Sequence, residues 1–102
     1  MNVAKFGKVT GTGAAINIEL GWIPDYVKII NGTDADQIDE WQTGMDAGTS
    51  VQTNTAVSAR SSNGISPYAG DDTHKKGFTI GSGISENAKV LYYQAYRNAE
   101  GS

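Results

Sequence analysis

The segment that most constrains the fold is residues 88–97, near the end of the 102-residue chain. Two sets of side chains alternate along it: Val90, Tyr92, Gln94 and Tyr96 in one set, and Leu91, Tyr93, Ala95 and Arg97 in the other. A period of two is typical of a β-strand. Because both sets are largely apolar or aromatic, both faces of this strand need cover. We expect it either at the centre of a sheet or between a core and a neighbouring subunit.

The composition favours strands throughout the chain. Nine Ile, six Val and nine Thr stand against only two Leu, a balance that suits a pleated sheet and not a helix. The 13 glycines follow no fixed period and indicate many tight turns. An all-α fold is therefore excluded.

Seven runs of strand-forming residues are separated by turn signals at spacings typical of an all-β sandwich. They cover residues 5–10, 14–20, 26–31, 38–43, 51–60, 77–81 and 88–97, and residues 65–68 add a short extended piece. The dipeptides Asn31-Gly32 and Asn63-Gly64 predict turns, because both residue types tolerate positive φ.

The sequence predicts an all-β fold, a single small antiparallel β-sandwich of the jelly-roll kind with about seven short strands and little or no helix. A chain of this length has room for one core, so residues 1–102 are expected to form one domain. Residues 1–10 are either an N-terminal docking arm or an edge strand.

Charge and residue types exclude several classes of function. Eight Lys and Arg against 11 Asp and Glu, with no long basic run, leave little to neutralise phosphates, so nucleic acid is not an expected partner. The absence of Cys excludes disulfides, thiolate nucleophiles and zinc–thiolate sites. No stretch resembles a membrane span or a signal peptide, so we expect a soluble protein made in the cytoplasm, with no membrane partner.

Two polar segments are candidates for chemistry. One carries four carboxylates, Asp34, Asp36, Asp39 and Glu40, which could bind calcium but lack the spacing of an EF-hand, so a solvated acidic loop is favoured. The other is Asp71-Asp72-Thr73-His74, which holds the only histidine and is interpreted as an exposed loop in preference to a metal or proton-transfer site. No catalytic constellation is present. We therefore expect no enzymatic activity, no cofactor and no metal.

The aromatic residues are the better functional lead. Amphipathic rings carry much of the binding energy at protein interfaces, and they also stack on sugars. A small β-protein needs some of these rings for its core, so we expect about half to pack inside and the rest to face a subunit or partner.

A family resemblance rests on four motifs and their order. They are residues 21–31 (Gly-Trp-Ile-Pro-Asp-Tyr-Val-Lys-Ile-Ile-Asn), Glu40-Trp41 followed by Gly44-Met45, residues 77–81 (Gly-Phe-Thr-Ile-Gly), and residues 90–97 (Val-Leu-Tyr-Tyr-Gln-Ala-Tyr-Arg). Over residues 14–97 the chain resembles small virion proteins of tailed bacteriophages. The resemblance implies a structural role on the particle, most of all as a capsid decoration (cement) protein. A more distant likeness to the H-type lectin sandwich implies a similar fold and assembly into trimers, and no sugar-binding motif transfers.

Taken together with the residue-level interpretation, the resemblance implies a non-enzymatic phage structural protein on the outer surface of the virion. It would bind the lattice of the major capsid protein as a homo-oligomer, expected to be a homotrimer, and so stabilise the capsid. The alternative is a tail- or fibre-associated β-sandwich that binds a receptor or carbohydrate. A small hydrolase or metal protein is the third hypothesis.

The predicted site residues form two groups. Contacts with the capsid or another partner are assigned to Asn2, Val3, Lys5, Phe6, Trp22, Trp41 and Tyr68. Subunit or core packing is assigned to Tyr26, Phe78, Tyr92, Tyr93, Tyr96 and Arg97.

Overall fold

A computed structural model of the chain describes residues 2–33, 37–54 and 56–98, with the side chains of residues 4–33, 37–54 and 56–97. All regular secondary structure in these ranges is β-strand. No helix in the described part of the chain is long and apolar enough to cross a membrane.

Eight strands form the fold, and every pair of neighbours is antiparallel. They are β1 (Asn2–Thr10), β2 (Ile16–Glu19), β3 (Tyr26–Asn31), β4 (Ile38–Gln42), β5 (Thr49–Thr53), β6 (Val57–Tyr68), β7 (Gly77–Ile80) and β8 (Val90–Asn98). Their order across the sheet is β1-β8-β3-β4-β5-β6-β7-β2. β1, the first strand of the chain, is therefore an edge strand, and β2 forms the opposite edge.

The all-β prediction is confirmed, but the predicted two-layer sandwich is replaced by one continuous sheet that curls into a half-barrel. Curling brings β7 and β2 over the inner side of β3 and β8, so a single sheet encloses a core against itself. The core draws on both halves of the sheet, since Val27 and Leu91 from one half cluster with Phe78 and Ile80 from the other.

The bend lies in β6, at a segment where the sequence predicts a turn. Thr49 pairs with Ile65, whereas the next residue, Ser50, pairs with Arg60, so residues 61–64 bulge out of the ladder. Asn63 has a φ of 57° there. The predicted turn at Asn63-Gly64 is thus a bulge inside a 12-residue strand, and bulges sharpen the local twist of a sheet.

A hairpin also divides a segment that was predicted to be one strand. Residues 51–60 hold the end of β5 and the start of β6, and the chain makes a turn between Thr53 and Val57, which pair with each other. The Ala56 N–H donates to the side chain of Asn54, 3.2 Å away, which closes part of this turn. The segment lacks Gly and Pro, so the sequence carries no strong signal for the reversal.

Alternation along the strands sorts side chains between an inner face, which lines the core, and an outer face. In β3, Val27, Ile29 and Asn31 are buried, and the residues between them are half-buried on the outer face. In β8, Leu91 and Ala95 are fully buried and share the inner face with Tyr93. Both faces of β8 therefore carry large side chains, as its sequence predicts.

Candidate interaction surface

A row of mainly apolar side chains crosses the outer face from β8 to β6. The strand registers place these residues opposite one another in turn: Tyr92, Ile30, Ile38, Thr53 and Val57. Tyr92 is 47% exposed and Val57 is 71% exposed, so both ends of the row are open. Ile30, Ile38 and Thr53 between them are half-buried, so the row is a continuous strip that is partly exposed, unlike single surface residues scattered over a protein.

A second row on the outer face is aromatic. Tyr26 of β3 is paired with Tyr96 of β8, and their ring centroids are 5.8 Å apart. Phe6 of β1 packs its ring edge-to-face on Tyr96, at a centroid distance of 5.7 Å and an interplanar angle of 73°. Phe6 is nevertheless 62% exposed. We refer to Phe6, Tyr26, Tyr92 and Tyr96 as the outer aromatic face.

Hydrogen bonds fix the polar ends of two of these rings. The Tyr26 hydroxyl donates to the carboxylate of Glu40, and the Tyr96 hydroxyl donates to Gln94 Oε1 over 3.2 Å. Burial, together with the neighbouring Glu40 carboxylate, raises the pKa of Tyr26 above its usual value, so the phenol stays neutral. Rings that are already held in place lose less conformational entropy when a partner binds.

A polar row separates the apolar row from the Tyr26–Tyr96 pair. Gln94 lies opposite Lys28, and Lys28 lies opposite Glu40. Opposite charges on neighbouring strands stabilise the sheet modestly. Rings and aliphatic side chains around a small polar centre can bury area and donate a few specific hydrogen bonds, which is the chemistry of a protein interface.

The predicted contact residues do not form one surface. Lys5 and Phe6 are both exposed on β1, and the main chain of Asn2 and Val3 belongs to the same strand, although their side chains lie outside the described residues. Tyr68 is half-buried at the end of β6, four strands away from β8 in the sheet order.

Neither tryptophan lies on the outer aromatic face. Trp41 is only 5% exposed, belongs to the core, and donates its indole N–H to the Asp46 carbonyl over 3.1 Å. Trp22 is half-buried against the core, with the Arg97 guanidinium carbon 5.7 Å from its ring centroid. The indole of Trp41 is thus covered by the protein itself and has little surface to offer a partner.

The residues assigned to packing divide between the two faces. Phe78 is fully buried, and Tyr93 packs edge-to-face on it at 5.5 Å. Arg97 belongs to the inner set of β8, whereas Tyr26, Tyr92 and Tyr96 lie on the outer face. Of the predicted set, these three tyrosines together with Phe6 are brought together on one surface.

The acidic segment separates into residues with unlike environments. Asp34 and Asp36 lie outside the described residues. Asp39 and Glu40 are neighbours in β4 and so point to opposite faces of the sheet, which prevents them from sharing one ion. Asp39 is fully buried and its Oδ2 accepts a hydrogen bond from Gln37 Nε2 over 3.1 Å. Burial raises the pKa of Asp39, although Gln37 and Arg60 oppose the shift.

The single histidine belongs to an exposed turn. Asp71 Oδ1 accepts hydrogen bonds from the main-chain N–H groups of Thr73 and His74, both at 2.8 Å, and lies 2.9 Å from His74 Nδ1. These contacts lower the pKa of Asp71 to about 2, and the Asp71 carboxylate raises the pKa of His74. The carboxylate is occupied in shaping its own turn.

No cluster of three or more His, Asp or Glu side chains arranged to hold a metal ion occurs within residues 2–33, 37–54 and 56–98.

Sequence reasoning missed the aliphatic part of the outer face. Ile30 and Ile38 lie in correctly predicted strands, but the period of two does not say which face is covered. Val57 lies in a segment predicted to be one continuous strand, and the hairpin that exposes it has no strong sequence signal. No protein-family model matches the chain, and comparisons with characterised proteins and with solved structures found no match.

Proposed function

We propose that the protein is a non-enzymatic structural protein of a tailed-phage virion, and that it decorates the head by binding the major capsid protein. The observation that carries the proposal is the outer aromatic face, where Phe6 and Tyr92 are exposed beside rings whose hydroxyls are already hydrogen-bonded. The order of the motifs in residues 14–97, which resembles that of such virion proteins, supplies the identity of the partner.

Stabilisation of a capsid by such a protein needs no chemical step. A decoration protein that covers the joint between two capsid subunits buries area on both, so their separation also exposes the covered area. A mainly apolar surface with a small polar centre suits this role, because its binding depends on area and shape more than on charge.

The test is co-sedimentation of the purified protein with heads from the phage whose genome carries the coding sequence. We expect the protein to sediment with the heads and to raise their melting temperature. Tyr92→Ser, which removes an exposed ring of the outer aromatic face, should weaken binding at least tenfold. Tyr68→Ser is the matched control, because it removes the same type of ring outside the outer aromatic face, on a strand four positions from β8 in the sheet order, and it should bind like the unchanged protein.

Three results would contradict this proposal. They are a lack of affinity for heads, binding to tails alone, and equal binding by the Tyr92→Ser and Tyr68→Ser proteins. The receptor- or carbohydrate-binding alternative predicts instead hits on a glycan array that are lost with Trp22→Ala or Tyr68→Ala.

A further inference from the structure

The β1 edge of the sheet is long and open. β1 is nine residues long, whereas β2 at the opposite edge has four. β8 pairs with one edge of β1, and no strand in the described part of the chain pairs with its other edge. Ala4, Lys5, Phe6 and Lys8 are all exposed there. A long edge strand without proline or a bulge is a template for another strand.

A hydrogen bond just beyond β1 shows which of its main-chain groups point to the free edge of the sheet, away from β8. Gly11 donates its N–H to the Lys89 carbonyl over 2.8 Å, one step past the Thr10–Val90 pair. Hydrogen-bonded and non-hydrogen-bonded pairs alternate in an antiparallel ladder, so the odd-numbered residues of β1 bond to β8. The N–H and C=O groups of Ala4, Phe6 and Lys8 therefore face away from the sheet.

We propose that β1 pairs antiparallel with β1 of a second copy of this chain, about a two-fold axis at Phe6. The two sheets then form one continuous sheet across the dimer. Pairing would form about ten main-chain hydrogen bonds, two for each even-numbered residue from 2 to 10.

Symmetry, the length of β1 and the positions of its lysines together favour this register. Because pair types alternate along the ladder, a two-fold axis normal to the sheet requires one residue to lie opposite its own copy. Phe6 is the midpoint of Asn2–Thr10, so an axis at Phe6 pairs the full length of the strand. An axis at Lys5 or Lys8 would place a lysine opposite itself, and every axis away from Phe6 shortens the paired stretch.

The lysines of β1 fit the Phe6-centred register. Edge lysines commonly discourage strand pairing. Here Lys5 falls opposite Gly7 of the second copy, and Lys8 falls opposite Ala4. Each long side chain therefore meets a small residue and no lysine meets another across the interface. The charges exclude the registers centred on Lys5 and Lys8, the length of the strand favours the one centred on Phe6, and in that register the lysines do not prevent pairing.

The dimer also places the most exposed aromatic ring of the protein beside its own copy, on the same outer face. Phe6, 62% exposed in the single chain, becomes the neighbour of its own symmetry mate, and aromatic pairs across strands stabilise a sheet. The two outer aromatic faces lie on the same side of the joined sheet. A two-fold dimer takes the place of the trimer that the lectin likeness implies, and it forms whether or not the protein binds capsids.

Cross-linking tests the register directly, because the chain contains no cysteine. Proteins carrying Ala4→Cys and Lys8→Cys are prepared separately, and both keep Phe6. Residues 4 and 8 of different copies lie opposite each other at about 5.5 Å between Cα atoms, within disulfide reach. Identical residues of the two copies lie four positions apart along the strands, at about 13 Å, which is too far. Oxidation of the mixture should give a disulfide-linked dimer, and oxidation of either protein alone should not.

Sedimentation of the unchanged protein tests the dimer itself. At tens of micromolar we expect the mass of two chains. Ala4→Pro removes an N–H that points away from β8, so it should leave the melting temperature of the monomer unchanged and abolish the dimer. Ala4→Thr keeps that N–H and should remain dimeric. The proposal is overturned if the unchanged protein sediments as a monomer or a trimer, or if the single-cysteine proteins cross-link as readily as their mixture.

Discussion

Asp39 of β4 and Arg60 of β6 form an ion pair across the intervening strand β5, with 3.5 Å between Asp39 Oδ2 and Arg60 Nη2. The Asp39 side chain is almost completely buried and the Arg60 side chain largely so. The pair spans three strands on the inner face, beside the bulge that bends the sheet. It connects the middle of the sheet to the strand that turns the second half over the core.

Removal of Arg60 should destabilise the fold strongly. Arg60→Met keeps a long side chain but leaves the Asp39 carboxylate buried without its cation, and breaking such a pair costs about 3–5 kcal/mol. Urea unfolding at pH 7 measures the change. The double variant Asp39→Leu/Arg60→Met is the control, because it removes both charges and should recover much of the loss. A single Arg60→Met protein as stable as the unchanged one would show that the pair contributes nothing.

The defect of Arg60→Met should shrink as the pH falls. Burial already raises the pKa of Asp39 in the folded state, and loss of Arg60 raises it further. A folded state that binds a proton more tightly than the unfolded state gains stability as the pH falls through the folded pKa towards the unfolded value near 4. The deficit in unfolding free energy of this variant, relative to the unchanged protein, should therefore be smaller near pH 4 than at pH 7. A constant difference would contradict the burial of the carboxylate.

Substitution of a valine by alanine should affect the free energy of unfolding much more on the inner face than on the outer face. Val27 is fully buried in β3, and Val57 is largely exposed at the start of β6. Val27→Ala should lower the free energy of unfolding by about 1.5–3 kcal/mol. The substitution loses the transfer free energy of the buried methyl groups, and it also leaves a cavity in the core. Val57→Ala should change it by less than about 0.5 kcal/mol. Equal effects in thermal or urea unfolding would mean that the assignment of faces is wrong.

The pKa of His74 should depend on Asp71. The chain has one histidine, so its ring protons give a single proton NMR titration curve. We expect a pKa above the usual value near 6.5, and Asp71→Asn should lower it, because the carboxylate favours the charged imidazole. Asp72→Asn is the control and should leave the curve nearly unchanged.

The same contacts determine how the stability of the folded protein changes with pH. Stabilisation through charged His74 is complete below the unfolded pKa and disappears as the pH rises through the folded value. Stabilisation through the Asp71 carboxylate is lost as the pH falls towards about 2. Identical titration curves for the unchanged and Asp71→Asn proteins would contradict the turn geometry.

The Tyr26–Glu40 hydrogen bond should order the outer aromatic face. Tyr26→Phe keeps the ring but loses the hydroxyl that donates to Glu40. Because the pair is only partly buried, we expect a loss of about 1 kcal/mol in unfolding free energy. Binding to phage heads should weaken by a smaller factor than in Tyr92→Ser, since Tyr26→Phe retains the apolar area. Tighter binding by Tyr26→Phe would show that the hydroxyl opposes binding.

Several strands could be predicted because their signals are local. Residues 26–31 match β3 in full, and residues 77–81 differ from β7 by one residue at the end. Each contains a run of apolar or β-branched residues that ends at Gly or Asn-Gly. The hairpin of β5 and β6 and the bulge at Asn63-Gly64 could not be predicted in this way, because the pairing of the two strands decides them. The same dipeptide, Asn-Gly, can form a turn between two strands or a bulge within one strand.

The aromatic residues of the surface were only partly predictable. The sequence shows that Tyr92 and Tyr96 share one face of a strand, since a period of two requires it. It does not show that Trp41 lies in the core while Phe6 is exposed, because an amphipathic ring suits either place.

The amino-acid sequence by itself determined that this protein is built of strands, and it determined which side chains share a face of each strand. These properties depend on neighbours along the chain, through the steric preferences of β-branched residues and the geometry of the extended backbone. Only the tertiary structure decided that one sheet curls in place of two that stack, which face of β8 lines the core, and that β1 is left open at an edge. Those outcomes depend on contacts between residues far apart in sequence, and no local pattern encodes them.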